Sequence, residues 1–292
     1  MGAGRFAPSP SGDLHLGNLR TALLAWLCAR STGRSFLMRV EDLDRVRPGA
    51  EERQLADLRS MGIDWDGPVV HQSERAWLYD AALASLGGRG LLFECFCTRR
   101  EILEAPSAPH APPGAYPGTC RDLTEAERDE RRAVRPAAVR LRAGTASFTI
   151  HDELHGSYEG VVDDFVLRRG DGAIAYNLAV VVDDAQQGVD QVVRGDDLLS
   201  SAPRQAYLAT LLGATPPTYV HVPLALNSAG QRLAKRDGAV TLRELGPSAF
   251  ALVTASLGLT GTTAGELLDG FSIERIPREP WVFVPPEEAP VV

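Results

Sequence analysis

Three groups of residues in this 292-residue chain have the types and spacing to do chemistry. The first is His15-Leu16-Gly17-Asn18, which follows a short extended run, Gly4–Ala7, and the loop Pro8-Ser9-Pro10-Ser11-Gly12. Where a strand passes through a loop into a helix, unpaired backbone N–H groups and the helix dipole favour phosphate. A glycine there lets a nucleotide base lie against the backbone while the imidazole donates to a phosphate; a tight turn with an incidental histidine is the competing reading. The second group is the basic loop Arg232-Leu233-Ala234-Lys235-Arg236-Asp237-Gly238. Taken alone it reads as a solvated turn, yet Lys235 is the single lysine among 30 lysines and arginines. An ammonium therefore stands where the rest of the chain uses guanidinium, and a mobile point charge suits a departing pyrophosphate. The third group is Cys95, Cys97 and Cys120. Three thiolates in one segment suggest structural zinc, which takes four ligands; Tyr116 and His110 compete for the fourth place, and three buried free thiols are the alternative. Cys28, inside a helical pattern, reads as core.

Composition bounds the setting of these groups. A mass of 31.4 kDa suggests about two compact units, and 44% hydrophobic with 23% charged residues excludes disordered and fibrous chains. The longest apolar stretch, Ala173–Val182, is about half the ~20 residues of a spanning helix, and the N-terminus has neither a secretory apolar run nor a myristoylation signal. A cytoplasmic protein with no membrane contact is expected. Four cysteines are too few for a disulfide scaffold. A net charge of -8 argues against non-specific coating of nucleic acid but leaves room for a local basic face that docks one RNA.

The elements that must position these residues follow from periodicity and punctuation. Leu19–Arg30 carries apolar residues at helical spacing, with Asn18 as a candidate cap and Gly33 just past its end. The strand Ser35–Val40 runs into Glu41, Asp42 and Asp44, completing a strand–helix–strand unit of a parallel sheet. Helices are expected over Glu51–Met61 and Ser73–Leu86. From Leu92 to Gly172 prolines gather, an arginine-rich helix is expected over Thr124–Arg135, and short strands over Ala138–Arg142 and Ser147–His151; this reads as an insertion. The parallel pattern resumes with a strand over Ala173–Asp184, a second over Gln191–Arg194, a helix over Leu198–Leu212 and a strand over Tyr219–Leu226. The expected division is a first catalytic half over 1–91, the insertion over 92–172, a second half over 173–240 and a short helical segment over 241–292.

Four runs, RFAPSPSGDLHLGNLRTAL over 5–23, MRVEDLDR over 38–45, YNLAVVVDD over 176–184 and VRGDDLLS over 193–200, resemble the catalytic core of glutamyl-tRNA synthetases, a class I family. His15–Asn18 falls on that family's HIGH signature, with Asn18 in place of its last histidine. Arg232–Arg236 falls on its KMSKS loop, where Arg232 and Ala234 replace the first lysine and the serine and Lys235 matches the second lysine. The resemblance implies an α/β fold with a Rossmann-like parallel sheet, an inserted α+β zinc-binding, acceptor-type subdomain and a short helical C-terminal segment. It implies catalytic roles for His15, Asn18 and Lys235, an ATP site at Pro8, Gly17, Arg232 and Lys235, and a glutamate site at Arg5, Ser9, Glu41, Tyr176 and Arg194. That set suits glutamate chemically: two guanidiniums grip two carboxylates and Glu41 takes the α-ammonium. The family's zinc set of Cys, Cys, Tyr, Cys falls on Cys95, Cys97, Tyr116 and Cys120.

The fifty-odd residues after 240 are too few for the helical region with which full-length relatives read an anticodon. A shortened core of this kind resembles the glutamyl-Q tRNA(Asp) synthetases, which attach glutamate to the queuosine base of tRNA(Asp); Arg275-Ile276-Pro277-Arg278-Glu279-Pro280-Trp281 looks like that family too. The implied cofactors are ATP, Mg²⁺ and Zn²⁺, and the expected state is a monomer. A core charging tRNA(Glu), a non-catalytic RNA-binding relative and another HxGH-type nucleotidyltransferase are the alternatives.

Overall fold

The computed structural model describes residues 2–104, 115–234, 240–246 and 248–284. Its first unit is β1 (Ala3–Phe6), α1 (Leu16–Ser31), β2 (Ser35–Val40), α2 (Ala50–Ser60), β3 (Val70–His71) and α3 (Ala76–Gly88). Next come β4 (Leu92–Cys95), α4 (Arg99–Glu104), α5 (Glu125–Arg132), β5 (Ala138–Leu141), β6 (Ser147–Asp152), β7 (Gly156–Val161) and β8 (Val166–Arg168). The chain continues through α6 (Tyr176–Gln186), β9 (Gln191–Gly195), α7 (Ala202–Leu211), β10 (Thr218–Val222) and β11 (Ala225–Leu226). It closes with α8 (Leu242–Leu245), α9 (Ser248–Ser256), α10 (Ala264–Leu268) and β12 (Trp281–Val282).

Strands β1, β2 and β3 pair in parallel, as do β9, β10 and β6, with β7 antiparallel at the outer edge. The two sheets meet where Ala3 bridges Val189 in parallel and the Asp190 amide donates to the Ala3 carbonyl at 3.0 Å. From β1 the chain passes outward to β2, and from β9 to β10 on the other side. The seam between β1 and β9 is therefore the switch point at which α/β sheets open a crevice beyond their carboxyl ends.

Helix α1 packs against that sheet and is apolar almost all round, because α9 and α10 cover its other side. Leu16, Leu19, Leu23, Leu24 and Leu27 are wholly buried, each stabilising the fold by roughly 1.5–3 kcal/mol. The cap differs from expectation. His15, not Asn18, is the N-cap: its Nδ1 accepts from the Gly17 amide at 3.1 Å, while Asn18 Oδ1 accepts from the His15 amide at 3.3 Å. The ring nitrogen serves here in the place of a capping hydroxyl.

Two further expectations are corrected. Ala173–Asp184 is not a strand; residues 176–186 form α6, packed against α3, α7 and β8. A run buried on every side looks the same for a central strand and an enclosed helix, so periodicity cannot separate them. The strand expected over Ser147–His151 within the 92–172 insertion is β6, which pairs with β7 and, through Asp152–Tyr219, with β10 of the main sheet. The inserted sheet itself is β4, β5 and β8, antiparallel throughout. Among the described residues no helix is long and apolar enough to cross a membrane.

Candidate active site

The loop after β1 is shaped before any ligand arrives. The Glu41 amide donates to the Pro8 carbonyl at 3.0 Å, the Arg47 amide to the Pro10 carbonyl at 2.9 Å, and buried Gln54 donates to the carbonyls of Ser9 and Gly12. A side chain at Gly17 would be crowded: a Cβ there would stand 3.0 Å from His15 Cε1 and 3.3 Å from the Ala225 side chain, so these neighbours would have to shift to admit one. The cap also fixes a tautomer. With its Nδ1 accepting from Gly17, a neutral His15 carries its proton on Nε2.

Pro8, Ser9, His15, Gly17, Asn18, Glu41, Tyr176, Arg194 and Arg232 all line one cavity of about 410 Å³ at the carboxyl ends of β1, β2 and β9. Arg5 is buried in the wall behind it, its Nε and Nη2 directed to the Asp184 carboxylate at 3.3 and 3.5 Å. Lys235 lies outside the described residues, as does His110. The flanks of the Lys235 segment are both anchored beside the cavity: the Leu233 amide donates to the Ala225 carbonyl at 2.8 Å, and the Leu16 amide to the Val240 carbonyl at 2.8 Å. Arg232 pairs with Asp197 at 2.5 Å.

A second cavity of about 890 Å³ shares Ser9, Glu41, Arg45 and Tyr176 with the first and extends to Cys97, Arg99, Arg140 and Arg169 of the insertion. Arg45, at the junction, holds φ 56°, a left-handed backbone that costs a non-glycine residue energy.

Charges behind the cavity form one network. Arg39, fully buried on β2, reaches Asp184 at 2.8 Å, Glu41 at 3.6 Å and Asp183 at 3.8 Å. Asp183 also takes Arg75 at 2.6 Å, Gln72 at 2.7 Å and the Tyr79 hydroxyl at 2.9 Å. Burial works against the Asp184 carboxylate, but Arg5 and Arg39 outweigh it and hold its pKa below the ordinary range. For Glu41 burial wins over the same two arginines and its pKa is raised. Burial also raises Tyr176, with Glu41 adding to the effect.

Arg194 is held on three sides. Its Nε donates to His221 Nε2 at 3.0 Å, its Nη1 to Gln205 Oε1 at 2.6 Å, and the Tyr219 ring lies 5.3 Å beneath it. Arg39, Gln54, Gln205 and His221 were missed in the sequence. For the two on strands, Arg39 and His221, the available signal was a single polar residue flanked by apolar ones, as in Met38-Arg39-Val40 and Val220-His221-Val222; Gln54 and Gln205, on α2 and α7, carried none.

In the insertion the thiols of Cys95, Cys97 and Cys120 lie within 4.8 Å of one another, with Cys97 and Cys120 sulphurs 3.6 Å apart. Thiolates held ~2.3 Å from a tetrahedral zinc ion stand about 3.8 Å apart, so the group is compatible with zinc. Tyr116 Oη is 3.4 Å from Cys95 Sγ and accepts from the Cys120 amide at 2.8 Å. Burial, together with the neighbouring thiols, pushes Cys97 up to about 12. Cys28 is buried in the main core, away from this group, and burial pushes it to about 12 as well.

Residues 3–278 match the family model of the class I tRNA synthetase catalytic domain for E and Q. The chain is 68% identical over 289 residues to a glutamyl-Q tRNA(Asp) synthetase of Nocardia farcinica, covering 97% of this chain and 93% of that protein. It is 45% identical over 299 residues to one of Thiobacillus denitrificans, covering 97% of each. A solved glutamate tRNA ligase from Elizabethkingia meningosepticum, in complex with its amino acid, superposes with a TM-score of 0.81 at 27% identity, covering 97% of this chain and 67% of that one. A parallel sheet with its crevice at the switch point, the HIGH-like cap and these matches lead to one conclusion: the chain belongs to the class I tRNA synthetases, in the glutamyl-Q tRNA(Asp) synthetase family.

Proposed function

We propose that the chain activates glutamate with ATP and transfers the glutamyl group to the queuosine base of tRNA(Asp). The observation that carries this is the convergence of His15, Gly17 and Asn18 with Ser9, Glu41, Tyr176 and Arg194 on one cavity, in a chain so close to relatives bearing that name. A glutamate α-carboxylate oxygen attacks the α-phosphorus of ATP; pyrophosphate leaves, and a hydroxyl of the modified base then displaces AMP from the acyl carbon. No side chain need bond covalently, so positioning and electrostatics account for the rate.

Arg194 offers a guanidinium to a glutamate carboxylate, with Arg5 in the wall behind the cavity as the second cation of the set, Glu41 takes the α-ammonium, and Ser9 and Tyr176 complete the lining. His15 donates to phosphate from Nε2–H, Asn18 fixes the cap, Pro8 and Gly17 border the adenine, and Arg232 with Lys235 counters the pyrophosphate charge. Mg²⁺ on the phosphates would neutralise the remaining charge. In the insertion Cys95, Cys97, Tyr116 and Cys120 would hold Zn²⁺, a structural ion tying β4 to the segment before α5. The protein works as a monomer in the cytoplasm.

Charging assays with radiolabelled glutamate test this. Alkali-labile glutamate on queuosine-containing tRNA(Asp), and none on tRNA(Glu), is the expected result; the reverse pattern identifies an ordinary charging core. Lys235→Ala should depress ATP–pyrophosphate exchange by roughly 10²–10³, the usual effect of removing one preorganised charge from a transition state; unchanged exchange would remove Lys235 from the mechanism.

A further inference from the structure

Behind Arg194 lies a buried acid–imidazole pair that no step above uses. Asp152, at the end of β6, and His221, on β10, are both fully buried. Asp152 Oδ1 accepts from the amides of Leu154 and His155, each at 2.9 Å. Its Oδ2 accepts from the His221 amide at 3.0 Å and meets His221 Nδ1 at 2.6 Å. A carboxylate receiving this many donors remains ionised. On the other side of the ring, His221 Nε2 stands 3.0 Å from Arg194 Nε. A guanidinium has donors only, so Nε2 must offer its lone pair and the ring proton must sit on Nδ1, directed to Asp152.

We propose that Asp152 and His221 are positioning residues for the reaction: the acid selects the imidazole tautomer that accepts from Arg194, and so fixes the plane in which that guanidinium meets a substrate carboxylate. The other contacts of Arg194 do not do this alone. Gln205 takes Nη1 and the Tyr219 ring supports the face, while Nη2 has a 3.5 Å approach to the Leu198 carbonyl. With Nε and Nη1 both fixed, the fork has one orientation, and bidentate grip of a carboxylate depends on orientation. Tyr219 and His221 are themselves stacked, centroids 5.6 Å apart and planes 19° off parallel, so the ring that orients Arg194 packs against the ring that supports it. The wrong tautomer would set N–H against N–H.

The pair has this role only if Arg194 binds glutamate, as proposed above, and the test separates the two. ATP–pyrophosphate exchange is measured for His221→Leu, which removes the acceptor, for His221→Gln, whose Oε1 can replace it, and for Arg194→Ala. We expect Leu to raise the glutamate KM roughly ten- to a hundredfold while leaving the ATP KM within about twofold, and Gln to restore most of it. A folded Leu variant with an unchanged glutamate KM, beside an Arg194→Ala that loses glutamate, overturns the positioning role and leaves the glutamate site standing. An Arg194→Ala variant with unchanged glutamate KM overturns the site itself. Should the Leu variant not fold, ¹⁵N spectra of the imidazoles in the unmodified protein decide: a His221 protonated on Nδ1 alone supports the inference, and a proton on Nε2 overturns it.

Discussion

The wall behind the smaller cavity and the arginine-rich helix of the insertion both carry dense ion pairs, yet they do different things. Around Arg39 the partners are largely buried, Arg39, Asp183 and Asp184 each meet more than one opposite charge, and the geometry is fixed by β2, α6 and the turn at Gln72–Arg75. On α5 the pairs Arg128–Glu125, Arg132–Glu94 and Arg132–Asp129 lie at the surface, within one helix or its near neighbour. Water and salt screen such pairs, and their contribution is small. What holds the insertion is apolar packing: a small core of Phe93, Cys95, Phe96, Tyr116 and Cys120, and Leu141, Phe165 and Leu167, which join the core around α3 and α6. Buried charge here sets the position of a site, whereas surface charge supplies a field.

Substitutions can sharpen that contrast. Arg39→Leu, which leaves Asp183, Asp184 and Glu41 facing one another without their shared cation, should cost about 3–5 kcal/mol in urea unfolding. The same network predicts a pH dependence. Asp184 has a folded pKa below its unfolded value, so its contribution is complete above the ordinary aspartate range of ~3.9 and is lost as pH falls through the lower folded pKa. Replacing Asp184 by Asn should flatten that acid limb. A smaller effect is expected in the insertion. Metal analysis should find one zinc per chain in the unmodified protein and none in Cys97→Ser. Chelation should cost about 2.7 kcal/mol if free metal stood at a hundred times its dissociation constant. At the low end, Glu125→Gln should leave the melting temperature unchanged within error; a clear drop would erase the distinction between the two regions.

Much of this was legible in the chain. The β1–α1–β2 unit announces itself through a Pro/Gly loop, helical spacing and an acidic strand end, and one cavity is lined by His15, Gly17, Asn18, Ser9, Glu41, Tyr176 and Arg194, whereas Arg5 lies in the wall behind it and Lys235 outside the described residues. The misreading of α6 has a physical cause: Val180-Val181-Val182 is buried on all sides, so neither period shows, and the pair Asp183-Asp184 that looked like a strand terminus is instead the acceptor for Arg5, Arg39 and Arg75. Arg39 and His221 could not be assigned because their partners are 144 and 69 positions away, contacts that only the folded sheet creates. The pairing of β6 with β10 is illegible in the sequence for the same reason, because the two strands are remote along the chain.

The short final strand has a consequence for how the chain could be trimmed. β12 lies parallel to β11, with Trp281 donating to the Leu224 carbonyl at 3.0 Å and Phe283 to the Leu226 carbonyl at 2.8 Å. Leu226 in turn bridges Arg232, at the threshold of the Lys235 segment. Deleting the last dozen described residues would therefore unzip a brace from the flank of the Lys235 segment, so that, with Lys235 serving the phosphates as proposed, a tail truncation should register as slower pyrophosphate exchange.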